Sequence, residues 1–230
     1  TRPVLRGISE RQKERGFEYS GDTVDMIPHV TDEILRRIKE AGDVNNAQIV
    51  VVEFGGTVGE YKNGIFFEAS RILKLKYPKD VMHVHVTYLP YLANVGEMKS
   101  KPAQTSVHIL NGMGIQPDVI ICRADYPVLE SLRNKISLFC DVERQAVIPL
   151  TTIPIVYEVP LVLEEEGLGQ LIVDKLGLHA EPSDLNQWRQ LISALKAPRQ
   201  PVNIALVGKY VELKDAYYSV REALCHAALH

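Results

Sequence analysis

Pro117-Asp-Val-Ile-Ile-Cys-Arg123 indicates the fold most clearly, because its centre, Val119-Ile120-Ile121, is apolar without interruption. A second stretch of the same kind, Ile49-Val-Val-Val52, lies earlier in the chain. Short, continuously apolar runs rich in β-branched residues are typical of strands that are covered on both faces. Both stretches therefore predict buried strands of a parallel sheet.

Predicted strands and helices alternate on both sides of these two stretches. The strands are predicted at Gln48–Phe54, Val81–Pro90, Pro117–Arg123, Ala146–Thr151 and Val202–Val207. The helices are predicted at Thr31–Ala41, Phe66–Tyr77, Ala103–Gly112, Glu130–Cys140, Val162–Leu176, Ser183–Leu195 and Asp215–Leu229. Such alternation predicts an α/β fold, a layered parallel sheet with helices on its faces. Ligands of such sheets bind at the carboxyl ends of the strands, so residues that directly follow a strand are the first candidates for function.

The composition argues against several classes of protein. The chain has 230 residues, of which 46% are hydrophobic and 24% are charged, and its formal net charge is -3. A net negative charge gives no general attraction to nucleic acid or to an anionic membrane. No apolar run approaches the ~18 residues of a membrane-spanning helix. The three cysteines are widely spaced. This is a poor disulfide framework, and it leads us to expect a cytoplasmic protein.

A second domain is predicted to begin near residue 202. A polar linker with two prolines, Lys196-Ala-Pro-Arg-Gln-Pro201, comes directly before a fresh apolar run. We therefore predict a first domain over residues 1–190, a linker over 191–201 and the beginning of a second α/β domain over 202–230. The sequence starts at Thr1 without a signal-peptide pattern, from which we expect a fragment or a partly ordered chain.

Glu53 is the first candidate for a binding residue. It ends a predicted strand and is followed by Gly55-Gly-Thr-Val-Gly59. An acidic residue at the carboxyl end of a buried strand is a common way to hold Mg²⁺ near phosphates, and glycines allow the backbone to approach a ligand closely. A solvated glutamate beside an ordinary turn is an equally good interpretation of its position alone.

Cationic and imidazole side chains supply the other candidates. Lys99-Ser-Lys-Pro-Ala-Gln104 leads into a predicted helix, where lysines and free N–H groups could hold a triphosphate, although such lysines are more often solvated. Arg123 ends a predicted strand and could stack on a base, bind phosphate or simply pair with Asp125. His83 and His85 lie on one face of a predicted strand. Because no third metal ligand is evident, we predict two packed, hydrogen-bonded histidines.

Five segments, in order along the chain, share a resemblance to one known family. They are Gly21-Asp-Thr-Val-Asp-Met-Ile-Pro-His-Val-Thr-Asp-Glu-Ile34, Val52-Glu-Phe-Gly-Gly-Thr-Val-Gly59, Gly96-Glu-Met-Lys-Ser-Lys-Pro-Ala-Gln104, Ile115-Gln-Pro-Asp118 with Cys122-Arg123 and Lys135-Ile-Ser-Leu-Phe-Cys140, and Val207-Gly-Lys-Tyr-Val-Glu-Leu-Lys-Asp-Ala-Tyr217. Together they resemble the CTP synthase family, and the last is similar to the opening of its glutaminase domain. Five long matches in order are far more specific than any single motif.

The resemblance implies a role for each matched position. Glu53 would coordinate Mg²⁺. The residues implied in binding UTP, and equally the product CTP, are Lys99, Ser100, Lys101, Pro102, Ala103, Gln104 and Lys135. A separate pocket for CTP as feedback inhibitor would be formed by Glu60, Tyr61 and Lys62. The adenine of ATP would be surrounded by Arg123, Thr151, Thr152 and Ile153.

The activity implied by the resemblance is the ATP-dependent amination of UTP to CTP. ATP would phosphorylate the 4-oxygen of uracil, and ammonia derived from glutamine would displace the phosphate. The resemblance also implies a sheet like that of P-loop NTPases and dethiobiotin synthetase, GTP as an activator and a homotetramer. It implies neither nucleic acid nor a membrane as a partner.

The chain departs from the family pattern at several positions. Lys62 stands where the family usually has glutamate, and an ammonium cannot accept hydrogen bonds from ribose hydroxyls. We therefore expect CTP inhibition through this pocket to be weakened or altered. Asp25 replaces a usual glutamine, Ala103 a threonine, and Pro154-Ile-Val-Tyr157 a usual D-S-I-Y.

Two alternatives to this function remain open. The phosphate-binding loop of the family, its second acidic metal ligand and its glutaminase triad have no counterpart in this sequence. We therefore expect the chain by itself to be inactive, and its catalytic residues are unknown. The first alternative is a related ligase of the dethiobiotin-synthetase kind. The second is a degenerate relative that binds nucleotide and serves as a regulatory or structural subunit.

Overall fold

The computed structural model describes residues 4, 6–10, 25–198, 200–213 and 215–228. Its strands are β1 Val84–Tyr88, β2 Tyr91–Leu92, β3 Glu97–Met98, β4 Val119–Ala124 and β5 Val147–Thr151. The helices that follow residue 30 are α1 Thr31–Val44, α2 Gly64–Lys76, α3 Lys101–Gly112, α4 Glu130–Cys140, α5 Val159–Glu165, α6 Leu168–Leu176, α7 Asn186–Lys196 and α8 Tyr218–Ala227. No helix among these residues is both long enough and apolar enough to cross a membrane.

Three parallel strands form the central sheet, in the order β1–β4–β5. Val84 of β1 lies opposite Val119 of β4, and Ile120 of β4 lies opposite Val147 of β5. The middle strand, β4, is buried except at Arg123, as its uninterrupted apolar run predicts. The strands predicted at 81–90, 117–123 and 146–151 are therefore confirmed with small changes at their ends, and so is the mixed α/β class with a parallel sheet.

The main core lies between this sheet and the helices that cover it. Helices α3, α4 and α6 each contribute fully or nearly fully buried apolar side chains, among them Val107, Ile136 and Leu171. Burying one such side chain contributes ~1.5–3 kcal/mol relative to leaving it in water. A second, smaller cluster joins α1 and α2 through Ile34 and Ala69. This packing holds the strands in place, and with them the strand ends near which candidate residues such as Arg123 and Thr151 lie.

The strand predicted at Gln48–Phe54 is wrong. Residues 49–54 form no strand, and Val51 is 91% exposed. A strand needs a neighbour to bond its N–H and C=O groups. In the described part of the chain the sheet ends at β1, and no segment pairs with residues 49–54. Residues 50–54 instead line a groove of about 450 Å³ beside α1, together with Ile34 and Phe66.

The elements towards the chain end also differ from the sequence prediction. Residues 202–207 form no strand, and Val202 and Val207 are 80% and 94% exposed, because no neighbouring strand is present among the described residues to pair with them. The single helix predicted at 162–176 is two helices, α5 and α6, interrupted at Gly167, which has a φ of 81°. The last helix is shorter than predicted and spans Tyr218–Ala227. Residues 191–196, placed in the predicted linker, belong to α7.

Candidate functional site

The three parallel strands end on one side of the sheet, which we call its carboxyl edge. This edge brings together the residues predicted to surround adenine. Arg123 lies near the end of β4, and the ladder continues past β5 through a 2.7 Å hydrogen bond from the Thr152 N–H to the Ala124 carbonyl. Thr151 lies opposite Ala124 in the β4–β5 register. Arg123 and Thr151 therefore lie on adjacent strands, with residues 152–153 directly after the second strand, although these residues are about thirty positions from Arg123 in the sequence.

Asp125 is the most heavily contacted acidic side chain on this edge. Its carboxylate accepts hydrogen bonds from the Tyr88 hydroxyl and, at 2.9 Å, from the Thr152 hydroxyl. These two donors, with the nearby Arg123 guanidinium, hold the pKa of Asp125 below its usual value. The same contact raises the pKa of Tyr88, because the phenol donates to a carboxylate that opposes its ionisation. Arg123 forms no direct ion pair with Asp125 among the described contacts, so the simple pairing considered from sequence is not found.

The lysine-containing segment returns to the same edge. The Lys99 N–H donates to the Pro90 carbonyl at 2.9 Å, just beyond the end of β1, and the short antiparallel pair β2–β3 shapes the connection. Ser100 and Gln104 are buried and bond to one another, with the Gln104 Nε2 2.9 Å from the Ser100 Oγ. Ala103 is also fully buried. These three residues therefore shape the start of α3 rather than present side chains to solvent.

Two lysines of the predicted UTP set, Lys99 and Lys135, lie near the carboxylate of Glu97. The Lys99 Nζ lies 2.5 Å from the Glu97 Oε2, and Lys135 on α4 adds its positive charge nearby. Both ammonium groups lower the pKa of Glu97, with Lys99 having the larger effect. Lys101 and Pro102 are exposed at the first turn of α3. The structure therefore places Lys135 near the 99–104 segment, a proximity that cannot be predicted from their separation in the sequence.

Glu53 and the residues of the predicted CTP pocket make no contact with this edge among the described residues. Glu53 is exposed and borders the groove beside α1. Gly59, whose φ is 91°, lies against Ile109 in the C-terminal half of α3, whereas the lysine segment lies at the N-terminal end of that helix. Glu60, Tyr61 and Lys62 follow at once, all exposed, and residues 61–63 form a single turn of 3₁₀ helix. No described contact joins residues 53–62 to the cations at the start of α3.

The two histidines are packed side chains. The His83 Nε2 lies 2.8 Å from the Ser70 hydroxyl, and the His83 N–H donates to Asp118 at 2.7 Å. His85 is buried, and its Nε2 has no hydrogen-bond partner among the described residues. Burial lowers the pKa of both rings. The prediction of packing is confirmed for both, and that of hydrogen bonding for the His83 ring only.

Sequence reasoning missed several residues of the carboxyl edge. Tyr88 ends β1, and the rings of Tyr91 and Tyr126 lie 4.4 Å apart between centroids, both partly exposed. Tyr91 and Tyr126 lie shortly after the ends of predicted strands, so the rule that ligands bind beyond strand ends could have included them, whereas Tyr88 lies inside the strand predicted at Val81–Pro90. The edge thus combines cations, aromatic rings and a fixed carboxylate. Such groups bind phosphates, stack on bases and accept hydrogen bonds from amino groups.

Comparison with known proteins identifies the family. The chain matches the sequence model described as "CTP synthase N-terminus" over residues 8–178. It is similar to proteins named CTP synthase from Dehalococcoides mccartyi, with 56% identity over 219 residues, and from Roseiflexus sp., with 51% over 220 residues. Each alignment covers 95% of this chain and 40% of the relative, so the chain spans about two fifths of the length of these relatives. By the extent and identity of these matches, the chain belongs to the CTP synthase family.

Proposed function

We propose that the protein to which this chain belongs is a ligase that aminates UTP to CTP, using ATP and ammonia derived from glutamine. The observation that carries the proposal is the convergence of two predicted nucleotide-binding sets on one sheet edge. The adenine set, Arg123 with residues 151–153, lies on β4 and β5, and the lysine segment returns to β1. Family membership makes UTP and ATP the nucleotides of first choice.

In this proposal the side chains of the edge position two nucleotides for phosphoryl transfer. Lys99, Lys101 and Lys135 neutralise the UTP triphosphate, while Ser100, Pro102, Ala103 and Gln104 hold the start of α3 in place. Arg123 lies over or beside the adenine of ATP, and the backbone after β5 borders it. ATP phosphorylates the uracil 4-oxygen, which makes it a leaving group for ammonia. Positioning and charge neutralisation do most of the work in such a transfer.

Glu53 is the residue that we propose as the Mg²⁺ ligand of this chain. The described residues contain no group of three His, Cys, Asp or Glu side chains able to hold a metal ion. A single exposed carboxylate still fits Mg²⁺, because this ion is commonly bound by one or two carboxylates together with water and substrate phosphates. When bound there, Mg²⁺ would neutralise phosphate charge.

The remaining parts of the proposal concern regulation, assembly and location. Product CTP would be sensed through Glu60, Tyr61 and Lys62, weakly because Lys62 cannot accept hydrogen bonds from a ribose. GTP is proposed as an activator, a homotetramer as the assembly and the cytoplasm as the location. The proposal also includes a first domain over residues 1–190, a connection over 191–201 whose first six residues form the end of α7, a second domain over 202–230 and a dethiobiotin-synthetase-like sheet.

An ammonium-dependent assay of the full-length protein tests the proposal directly. The protein is supplied with UTP, ATP, Mg²⁺ and ammonium chloride, and CTP is followed by its absorbance difference from UTP. Ammonium removes the need for glutamine hydrolysis, so the assay reports on the amination of UTP and not on the release of ammonia. We expect CTP to form, to disappear with Glu53→Ala and to persist with Glu181→Ala, an exposed glutamate outside the candidate site.

The outcome also separates the proposal from its alternatives. A folded protein that binds UTP without forming CTP would support the regulatory relative, which the departures at Lys62 and Pro154 favour. A protein that ignores UTP but uses another carbonyl substrate with ATP would support the related ligase instead.

A further inference from the structure

A single turn of 3₁₀ helix after β5 contacts two later helices. This turn, Val156–Glu158, begins three residues after Ile153 of the predicted adenine set. The Tyr157 carbonyl accepts a 2.6 Å hydrogen bond from the Trp188 indole of α7. The Glu158 carboxylate lies 2.7 Å from the Lys196 ammonium at the C-terminal end of α7. The turn is therefore fixed to α7 by its backbone and by one side chain.

The Tyr157 side chain reaches across to α8. Its hydroxyl donates to the Glu222 Oε2 at 2.8 Å and also contacts the His226 Nε2. The Tyr157 and His226 rings meet edge to face, 5.6 Å between centroids. Glu222 and His226 are one helical turn apart, so both face the same side of α8. The Tyr157 hydroxyl can therefore donate a hydrogen bond to Glu222 while it accepts one from His226.

Little else holds α8 in the described structure. No residue of Tyr218–Ala227 is buried, and its apolar Val220 and Leu224 are 46% and 38% exposed. Among the described residues, the side-chain hydrogen bonds from α8 to earlier parts of the chain all end on Tyr157. The connection to α7 runs through a segment with Pro198 and Pro201, which form no helix or strand. Tyr157 thus supplies the side-chain hydrogen bonds that join α8 to earlier parts of the described chain.

We propose that Tyr157 is a positioning residue that docks α8, and with it the segment from residue 202 onward, onto the α/β body beside the nucleotide edge. The surface on α8 is the pair Glu222 and His226, and its partner is the Tyr157 phenol. This inference rests on the proposed function in one respect. If the segment from 202 opens a glutamine-hydrolysing domain, the contact sets where that domain lies relative to the site that receives ammonia.

Hydrogen exchange of the full-length protein tests the docking without any ligand. Tyr157→Phe keeps the ring and removes only the hydroxyl. Hydrogen bonds to charged groups are among the stronger ones but are weakened by solvent at a partly exposed site, so we expect the amides of 218–227 to exchange roughly five- to tenfold faster. Tyr77→Phe, an exposed tyrosine at the end of α2, is the matched control and leaves α8 unchanged. Unchanged exchange in Tyr157→Phe would overturn the inference.

A double-mutant comparison keeps the test specific. Glu222→Ala should also accelerate exchange of α8. Adding Tyr157→Phe to it should have a smaller effect than Tyr157→Phe has alone, because the Tyr157–Glu222 hydrogen bond is already lost and only the contact with His226 remains. Fully additive effects of the two substitutions would show that the residues act independently, and the proposed docking pair would be wrong.

Activity measurements distinguish this inference from the proposed function. Tyr157→Phe should lower glutamine-dependent CTP formation while leaving ammonium-dependent formation within about twofold of the parent, since a small local change leaves the nucleotide edge intact. An equal loss of both activities would contradict a positioning role. If the parent protein forms no CTP with ammonium, the proposed function fails, and the exchange data alone decide the docking.

Discussion

At the scale of single residues, the carboxyl edge is organised around Asp125. Its carboxylate is exposed, yet two hydroxyl donors fix its orientation: Tyr88 at the end of β1 and Thr152 directly after β5. A fixed acceptor in this place could select a ligand that carries an exocyclic amino group, because a carboxylate only accepts hydrogen bonds.

Replacing Asp125 should change the titration of Tyr88. The hydrogen bond to the carboxylate is the main cause of the raised pKa of Tyr88, so Asp125→Asn should lower this pKa towards the ordinary value of about 10. The measurement is a pH titration of ¹³C-labelled tyrosine rings by NMR, with Tyr88→Phe assigning the signal. Thr152→Val is the control, since it removes the other donor but keeps the negative charge. A pKa of Tyr88 that stays raised in Asp125→Asn would contradict this interpretation of the contact.

At the scale of elements, the break between α5 and α6 is a backbone effect. Gly167 has a φ of 81°, in the left-handed region that side chains with a Cβ rarely adopt. Space is not the constraint, because a Cβ built on Gly167 meets no atom within 4 Å. The apolar pattern of 162–176 continues through this glycine, which is why the sequence predicts one helix where the structure has two.

Gly167 and Gly64 should therefore respond in opposite ways to alanine. Gly167→Ala should lower the free energy of unfolding by about 1–2 kcal/mol, the cost of left-handed backbone for an L-residue. Gly64→Ala, at the start of α2 with a helical φ of -52° and open space around it, should raise it by about 0.4–1 kcal/mol. Urea denaturation measures both. Equal effects of the two substitutions would show that the backbone conformation at Gly167 is not the cause of the break.

At the scale of the whole molecule, two imidazole rings lie at and just before the start of β1, and the His83 ring contacts Ser70 of α2. His83 bonds to Ser70 and, through its backbone, to Asp118, while Lys74 adds a positive charge nearby. His85 is affected by burial alone. Both rings have lowered pKa values, so the folded protein binds fewer protons at these sites than the unfolded chain does near pH 6.

The stability of the fold should therefore fall on mild acidification. The contribution of a group with a lowered folded pKa is present above its unfolded value, about 6.5 for histidine, and is lost as the pH falls through the folded value. Denaturation midpoints between about pH 7.5 and pH 5 should decrease with falling pH, and His85→Gln should reduce that slope. His179→Gln, at an exposed position, should leave the slope unchanged. A slope that His85→Gln does not alter would assign the pH dependence to other groups.

The sequence by itself determined the central strands, most helices and the family. Val119–Ile121 predicts a strand covered on both faces, and it is one, because local periodicity and burial agree there. The same kind of run at Ile49–Val52 predicts a strand and is wrong, since pairing depends on a neighbour that a local pattern does not specify. In the same way, the sequence motifs name the candidate binding residues but do not show which of them lie close together in space.

Only the tertiary structure decided which of these residues meet. It brings Lys135 towards Glu97 and Lys99, joins Asp125 to Tyr88 and Thr152, and places Tyr157 against α8. It leaves Glu53 and the turn at 61–63 without described contacts to that edge. The physical reason is that parallel strands distant in sequence end at one edge of a sheet, so residues grouped there are separated by whole strand–helix units in the chain.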